Sequence, residues 1–396
     1  MTAQRTAPRV PAPTGRLPLG GLLALAAVAF TAVVTEILPA GLLPAMSTEL
    51  GVGESQIGAL VAVYAVATAV TAIPLIALTR SIPRRPLLLT TVIGLSAANL
   101  VTAVADDYTV ILVARTIGGA LAGLIWATAP GYAMRLVTPD RAGRALSVAM
   151  IGTPLAFAFG SPIATAIGAA LGWRAAFAIM AALGLALAAW AAIALPARPG
   201  EASARRPSLS AVVRMPGLAA VLATIAAFVL AHNVAYTYIA PLTVASGVAA
   251  RLDLGLLVFG ISAVAGVLTA GRLADRMPRG AVIGAAALLG AAMLAFGLLG
   301  AWPVAVYAAL VVWGAAYGSA PTLLQSAPAR IAGDAADVAQ SMVVAVWNAS
   351  IAGGAFLGGA VLDGLGAGAL PWAALALIAV AALTAGTVRA AFRPVR

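Results

Sequence analysis

The chain of 396 residues contains no cysteine and no lysine, and its single histidine is His232. Without cysteine it has neither disulfides nor thiolate metal sites, and one histidine argues against a histidine-rich metal centre. Without lysine it lacks the G-x-x-x-x-G-K-[ST] phosphate loop, so we do not expect it to drive transport with ATP. A membrane-embedded enzyme needs Asp, Glu or His at catalytic spacing, and the apolar stretches offer only Glu36 and His232. We therefore expect no enzyme, no metal site and no cofactor.

Charge is also scarce. Only 9% of the residues are charged and 63% are hydrophobic, whereas a soluble protein carries about 25% charged residues. The mean hydropathy is +1.05. Apolar stretches of about 20 residues or more recur along the chain, which is long enough for a helix to cross a bilayer. The alternating segments of about 10 residues that are typical of membrane barrels are absent. The sequence predicts an all-α integral membrane protein.

One polar segment divides twelve apolar stretches into six and six. We predict a cytoplasmic tail over 1–16, a six-helix bundle over 17–195, a cytoplasmic linker over 196–216, a second bundle over 217–390 and a tail over 391–396. The first stretch is longer than the core of a signal peptide, about 7–15 residues, so we interpret it as a retained helix. The predicted spans are 18–46, 57–79, 86–104, 109–134, 145–171, 175–195, 217–245, 254–274, 281–300, 303–327, 338–362 and 371–390.

The distribution of arginine predicts the orientation. All 23 basic residues are arginine, and with the N-terminus inside, all but Arg115, Arg174 and Arg251 fall in the cytoplasm. This is the asymmetry expected of a multi-pass protein of the plasma membrane, here the cell inner membrane, with both termini in the cytoplasm and the lipid bilayer as its surroundings. Because the arginines are spread over many loops, we do not interpret the net charge of +11 as a nucleic acid site.

Two loops that lie 195 residues apart read as two copies of one motif. The first is Ile-Ala-Leu-Thr-Arg-Ser-Ile-Pro-Arg-Arg at 76–85, and the second is Gly-Arg-Leu-Ala-Asp-Arg-Met-Pro-Arg at 271–279. The same offset carries Gly119-xxx-Gly123 onto Gly314-xxx-Gly318. An internal repeat of this length in an apolar chain predicts a transporter built from two homologous halves.

Twelve spans, the repeat and the loop after span 8 resemble the major facilitator superfamily over about residues 17–390. Segment 271–279 is similar to the family's G-x-L-A-D-R-x-G-R loop, and Arg115-xxx-Gly119-xxx-Gly123 to its second motif. Gly160-Ser-Pro162 looks like a degenerate form of its antiporter motif. Thr-Glu-Ile-Leu-Pro-Ala-Gly-Leu-Leu-Pro at 35–44 and Leu-Gly-Trp-Arg at 171–174 are similar to the drug and sugar efflux branch. The resemblance implies two pseudo-symmetric six-helix bundles, a central cavity, a monomer, and export of a small molecule in exchange for protons by alternating access.

The resemblance also assigns the two repeated loops to gating. The family's first loop carries an acid that pairs across the two halves, but this chain has Arg80 there, so Asp275 is left to serve the symmetric role. The loop residues that match the motif are Gly271, Asp275, Arg276, Arg279, Arg84 and Arg85.

Glu36 and Arg115 are charged residues inside predicted spans. A charge at the bilayer centre costs at least ~2.5–3.5 kcal/mol, so it usually faces a wet cavity or a partner. Glu36 lies roughly 12 Å from the outer end of span 1, and Arg115 lies roughly 9 Å from the outer end of span 4, counted at about 1.5 Å per residue. We expect the two side chains to lie at similar depths. We predict that they interact, directly or through water, and that protonation of Glu36 weakens the interaction and couples protons to transport. The alternative is a fixed structural ion pair.

His232 lies near the middle of span 7, and the 195-residue offset places it at Ile37, beside Glu36. Histidine suits gating by protons near neutral pH. It is therefore a third proton-coupling candidate. A neutral histidine hydrogen-bonded between helices is the alternative. With Asn233, Tyr236 and Tyr238 it could instead form the polar part of a substrate site.

Aromatic residues in a cavity suit bulky apolar or cationic compounds, although single aromatics often only pack or anchor a helix. The preferred cargo is a hydrophobic drug or natural product. A sugar, nucleoside or other small metabolite is the alternative, as is a receptor or scaffold that does not transport. Further candidates for the substrate cavity are Tyr64, Asn99, Trp126, Tyr317, Gln325, Trp347 and Asn348.

Overall fold

The structure is a computed structural model, and it describes residues 17–79, 81–138, 141–198, 212–276, 278–332 and 336–387. The predicted tails 1–16 and 391–396 and most of the linker lie outside these residues. Twelve helices in the described part are long and apolar enough to cross a membrane. The chain is therefore a multi-pass membrane protein, as predicted. We call the side on which span 1 begins the inner side, and the opposite side the outer side.

Eleven of the spans are single helices. Span 5 consists of consecutive segments: Ala142–Met150, Gly152–Leu155, a π-helix at Ala156–Gly160, and Ser161–Leu171. Short helices at Ile239–Leu242, Val248–Arg251 and Ala367–Ala369 lie at the outer ends of spans. The single helices are span 1 Leu19–Leu50, span 2 Glu54–Thr79, span 3 Arg84–Val104, span 4 Tyr108–Met134, span 6 Trp173–Ala194, span 7 Leu218–Tyr236, span 8 Leu252–Arg276, span 9 Pro278–Leu299, span 10 Pro303–Ala332, span 11 Ala336–Leu365 and span 12 Leu370–Thr387.

Span 7 is shorter than predicted. A continuous helix over 217–245 is wrong, because the helix ends at Tyr236 and a separate short helix follows at Ile239–Leu242. Pro241 has no N–H with which to bond the carbonyl of Thr237, which weakens a continuous helix at this point. Span 1, in contrast, runs without a break through Pro39 and Pro44.

The two halves repeat each other in one set of close helix contacts. In each half a pair of glycines lets one helix lie directly against the main chain of another, because a side chain at these positions would meet backbone atoms. The contacts are Gly119 on Tyr64, Gly123 on Thr68, Gly314 on Phe259 and Gly318 on Ala263. Each contact in the first half lies 195 residues before its counterpart in the second. The prediction of two pseudo-symmetric bundles is confirmed.

The Leu-Gly-Trp-Arg stretch builds a polar network at the outer end of the first half. Gly172 has a φ of 87°, which allows the sharp turn between spans 5 and 6. The Arg174 guanidinium then reaches Glu49 Oε1 at 2.7 Å and Asp106 Oδ1 at 2.8 Å. The indole of Trp173 donates to Glu49 Oε2 at 2.7 Å. The network joins span 6 to the end of span 1 and to the loop between spans 3 and 4.

The two halves contact each other at their outer ends around Tyr238. This side chain is fully buried, and its hydroxyl donates to the carbonyl of Ala355 in span 11 at 2.8 Å. It fills a slot formed by Gly58 of span 2 and by Gly358 and Gly359 of span 11, where a Cβ at any of the three would collide with the ring or hydroxyl. The glycines therefore let the outer side close around one tyrosine.

Candidate functional site

The candidate site lies at the middle of span 1, where Arg115 contacts the main chain. Arg115 of span 4 donates to the carbonyl of Thr35 at 2.6 Å and to the carbonyl of Glu36 at 2.9 Å. A longer bond of 3.4 Å reaches the carbonyl of Leu60 in span 2. Its guanidinium lies 4.4 Å above the ring of Tyr64. Arg115 thus joins three spans of the first half through main-chain carbonyls and one aromatic face.

The Glu36 side chain is held beside this arginine without an ion pair to it. Within the described part of the chain, the ion pairs do not include Glu36, and its Oε1 is buried with no hydrogen-bond partner. The residue is 7% exposed. The predicted contact between Glu36 and Arg115 exists, but it involves the carbonyl of Glu36.

Asn99 supports the same turn from span 3. Its amide donates to the side-chain hydroxyl of Thr35 at 3.0 Å, and both residues are buried. This cavity candidate therefore contacts span 1 within the first half. Like Arg115, it fixes the residue that directly precedes Glu36.

His232 is enclosed by aromatic rings of the second half. Trp313 Nε1 donates to His232 Nδ1 at 3.0 Å. The imidazole stacks on Tyr317, with ring centroids 3.5 Å apart, and on Tyr236, at 4.9 Å. Because a nitrogen that accepts a hydrogen bond from an indole carries no proton, this geometry favours a neutral imidazole. The structural alternative for His232 therefore fits the arrangement better than a proton-binding role.

One ring of the first half enters this aromatic cluster. Phe157 lies in the π-helix of span 5, and its ring centroid is 5.5 Å from that of Tyr317 and 6.1 Å from that of Tyr236. Tyr236 also lies 3.4 Å from Ser161, hydroxyl to hydroxyl. A π-helical turn at such a contact is common at functional sites. The cluster therefore connects the two halves near the middle of the molecule.

The remaining cavity candidates are distributed over several environments. Trp126 and Trp347 are half-buried and pack against the core. The amides of Asn233 and Asn348 donate to carbonyls of their own helices at 2.8 Å and 2.9 Å. Tyr238 lies in the outer closure described above. The side chain of Gln325 lies outside the described residues.

The described loop arginines bond to the last helix of their own half. Arg85 donates to the carbonyl of Ala192 near the end of span 6, and Arg279 donates to the carbonyls of Ala385 and Gly386 in span 12. A cation is favourable at a helix C-terminus. The main-chain N–H of Arg84 donates to the carbonyl of Arg198. The surroundings of Gly271 and the side chains of Asp275 and Arg276 lie outside what the structure describes, although their main chain belongs to span 8.

Sequence reasoning missed several residues of this site. Phe157, Phe259 and Trp313 belong to the aromatic cluster, but nothing in an apolar helix marks which face they occupy. Trp313 alone had a usable signal, because it precedes Tyr317 by four residues and therefore shares its helix face. In the described part of the chain, no group of three or more acidic, histidine or cysteine residues could hold a metal ion.

Comparisons with known proteins agree with this arrangement. The sequence profile of the Major Facilitator Superfamily matches residues 25–355. Two chloramphenicol efflux pumps of Mycobacterium tuberculosis, from strains CDC 1551 / Oshkosh and H37Rv, are each 35% identical to the chain, covering 85% of it and 84% of their own length. A protein of Mannheimia succiniciproducens named "probable sugar efflux transporter" is 26% identical and covers 87% of both chains.

Proposed function

This chain belongs to the Major Facilitator Superfamily and is a transporter rather than an enzyme, and we propose from that premise that it exports a small apolar compound in exchange for protons. The observation that carries the proposal is the Glu36 carboxyl. It is buried near the middle of span 1, one of its oxygens has no hydrogen-bond partner among the described residues, and the nearby cation bonds to the main chain instead.

A carboxyl in this position can exist with or without a proton. As a carboxylate it would be stabilised by the positive charge of Arg115. As a carboxylic acid it would be a neutral hydrogen-bond donor. Gly41, five residues further along span 1, faces Leu256 of the second half, so that change of charge occurs near the contact between the halves. Proton binding at Glu36 can therefore change the relative stability of the states open to either side, which is what exchange by alternating access requires.

The proposed cargo is a hydrophobic drug or natural product. Where the two halves meet, the second half offers the aromatic rings of Tyr236 and Tyr317, which favour apolar and aromatic compounds. A single acid gives little support for a dication. Two relatives named for chloramphenicol efflux support a drug, and one named for sugar efflux keeps a sugar as the second candidate.

The test is proton movement in proteoliposomes that contain the full-length protein. An imposed proton gradient is monitored with an internal pH dye. Chloramphenicol or a neutral sugar is added on the side of the membrane from which the cargo is exported. We expect chloramphenicol to trigger proton flux and Glu36→Gln to abolish that flux. Glu54→Gln is the matched control, because it makes the same chemical change at the outer end of span 2.

The outcomes separate the candidates. Flux triggered by the sugar alone would replace the drug with a sugar as the cargo. Chloramphenicol movement without proton flux would indicate a facilitator, and coupled flux that survives Glu36→Gln would move the coupling site elsewhere.

A further inference from the structure

A carbonyl in the middle of span 1 lacks its helical donor. In an α-helix the carbonyl of Thr35 accepts a hydrogen bond from the N–H of residue 39. That residue is Pro39, which has no N–H, yet span 1 continues to Leu50. An unsatisfied carbonyl is costly in apolar surroundings, and this one belongs to the residue directly before Glu36.

Arg115 donates a hydrogen bond to that same carbonyl. Its two terminal nitrogens lie 2.6 Å from the oxygen of Thr35 and 2.9 Å from that of Glu36. The planar fork of a guanidinium can bond two neighbouring acceptors at once, which an ammonium group cannot reproduce. Arg115 is 2% exposed, so water does not compete for these bonds.

The second half of the repeat contains neither residue. The 195-residue offset places Val234 where Pro39 stands and Leu310 where Arg115 stands. Val234 has an N–H within the helix Leu218–Tyr236, so the carbonyl of Leu230 keeps its ordinary donor. Proline and arginine thus occur together in one half and are both absent from the other. This is the pattern expected if the arginine donates the hydrogen bond that the proline cannot donate.

We propose that Arg115 is a positioning residue that replaces the N–H missing at Pro39 and thereby fixes Glu36 in the membrane without an ion pair to its carboxylate. Pro39 and Arg115 form one structural unit. Only the role of Glu36 in this statement rests on the proposed function, because the pairing of Pro39 with Arg115 concerns the fold.

The test is a double-mutant cycle on the full-length protein, read as the midpoint of thermal unfolding in detergent. We expect Arg115→Gln to lower the midpoint by about 5 °C or more. Pro39→Ala restores the missing N–H, so the double variant should regain at least half of the loss. Pro44→Ala is the control. Pro44 leaves the carbonyl of Ala40 without its helical N–H donor, and Arg115 does not bond to that carbonyl.

A conservative variant separates geometry from charge. Arg115→Lys keeps the charge but loses the fork, so we expect its unfolding midpoint to fall as well and to recover with Pro39→Ala. A second readout is the pH at which proton-coupled exchange is half-maximal. Positioning of Glu36 predicts that Arg115→Lys shifts this pH and that Pro39→Ala brings it back, whereas a role in folding alone changes only the amount of active protein.

Several results would overturn the proposal: an Arg115→Gln variant as stable as the unmodified protein, no recovery with Pro39→Ala, equal recovery with Pro44→Ala, or an unchanged pH of half-maximal exchange in Arg115→Lys. If Arg115→Gln cannot be purified, recovery of purifiable protein with Pro39→Ala and not with Pro44→Ala is the supporting result. If the protein exchanges no protons, the proposed function fails, and the unfolding data still decide the pairing.

Discussion

Spans 1 and 7 occupy equivalent places in the two halves, and each has a buried titratable side chain within one residue of the same repeat position; we call Glu36 and His232 the two centres. Glu36 in span 1 has a buried oxygen with no hydrogen-bond partner among the described residues, and Arg115 bonds to the main chain beside it. His232 in span 7 is stacked between rings, and its Nδ1 accepts a bond from Trp313. Pseudo-symmetry of the backbone therefore does not make the two centres chemically equivalent.

The difference shows what makes a buried ionisable group available for function. The His232 ring is stabilised in one protonation state by a specific donor and by stacking. Neighbouring residues fix the main chain of Glu36, while its carboxyl keeps one oxygen without a hydrogen-bond partner among the described residues. In the proposed function, the first half carries the proton and the second half supplies an aromatic surface.

The largest expected effect on transport separates the two centres by function. Glu36→Gln should reduce proton-driven export by at least about tenfold, a loss of about 1.4 kcal/mol or more of coupling free energy. His232→Gln should leave the pH dependence of export unchanged. Export is measured in proteoliposomes between about pH 5 and pH 8, the range in which a histidine is expected to titrate. Equal pH dependence in the two variants would contradict the comparison.

A carboxyl moved to the second half should not be tolerated. His232→Glu places an ionisable carboxyl among buried aromatic rings, so we expect a loss of about 3 kcal/mol or more in the free energy of unfolding. His232→Gln is the control, with an expected loss of about 1 kcal/mol. Denaturant titration in detergent measures both. If the acid is tolerated as well as the amide, then the two centres do not differ in this way.

The two spans also differ beyond their centres, because span 7 ends at Tyr236 and leaves Tyr238 to enter the outer closure. A methyl group at Gly58 would collide with the Tyr238 hydroxyl. We expect Gly58→Ala to disfavour the closed outer side by about 1–3 kcal/mol, the usual cost of overpacking. The chain has no cysteine, so Ser55→Cys creates a unique site at this closure.

Labelling of that site with a membrane-impermeant maleimide from the outer side measures the effect, and Gly58→Ala should speed it about fivefold or more. Gly364→Ala in the same Ser55→Cys background is the control, since nothing lies within 4 Å of a Cβ at that position. Unchanged labelling in the Gly58 variant would show that the slot has room for a methyl group.

The smallest expected effect concerns the bond to His232. Trp313→Phe keeps a ring in place but removes the indole N–H, so we expect a loss of about 1 kcal/mol in the free energy of unfolding. Trp302→Phe is the matched control, because that residue is 70% exposed. If Trp313→Phe is as stable as the control, the bond is not what fixes the imidazole.

Much of the architecture could be predicted from the sequence. Long apolar stretches fix the number of spans, because main-chain polar groups in a bilayer need hydrogen-bond partners and a helix supplies nearly all of them. The 195-residue repeat then predicts two similar halves, and the paired glycines predict where helices approach most closely. The end of span 7 was missed, because the effect of Pro241 depends on its context. Pro39 lies inside span 1 without ending it.

The site itself could be predicted only as a set of residue types. The sequence by itself determined that Glu36, Arg115 and His232 are buried in apolar helices, since nearly all other charges lie near span ends. It could not determine which atoms they contact, because helices that are apolar on every side have no amphipathic pattern to show which face points inward. Only the tertiary structure decided that Arg115 bonds the carbonyl left without a donor by Pro39 and that Trp313 bonds His232. Hydrogen bonds between distant helices depend on how the helices pack, and packing assigns each polar side chain its partner.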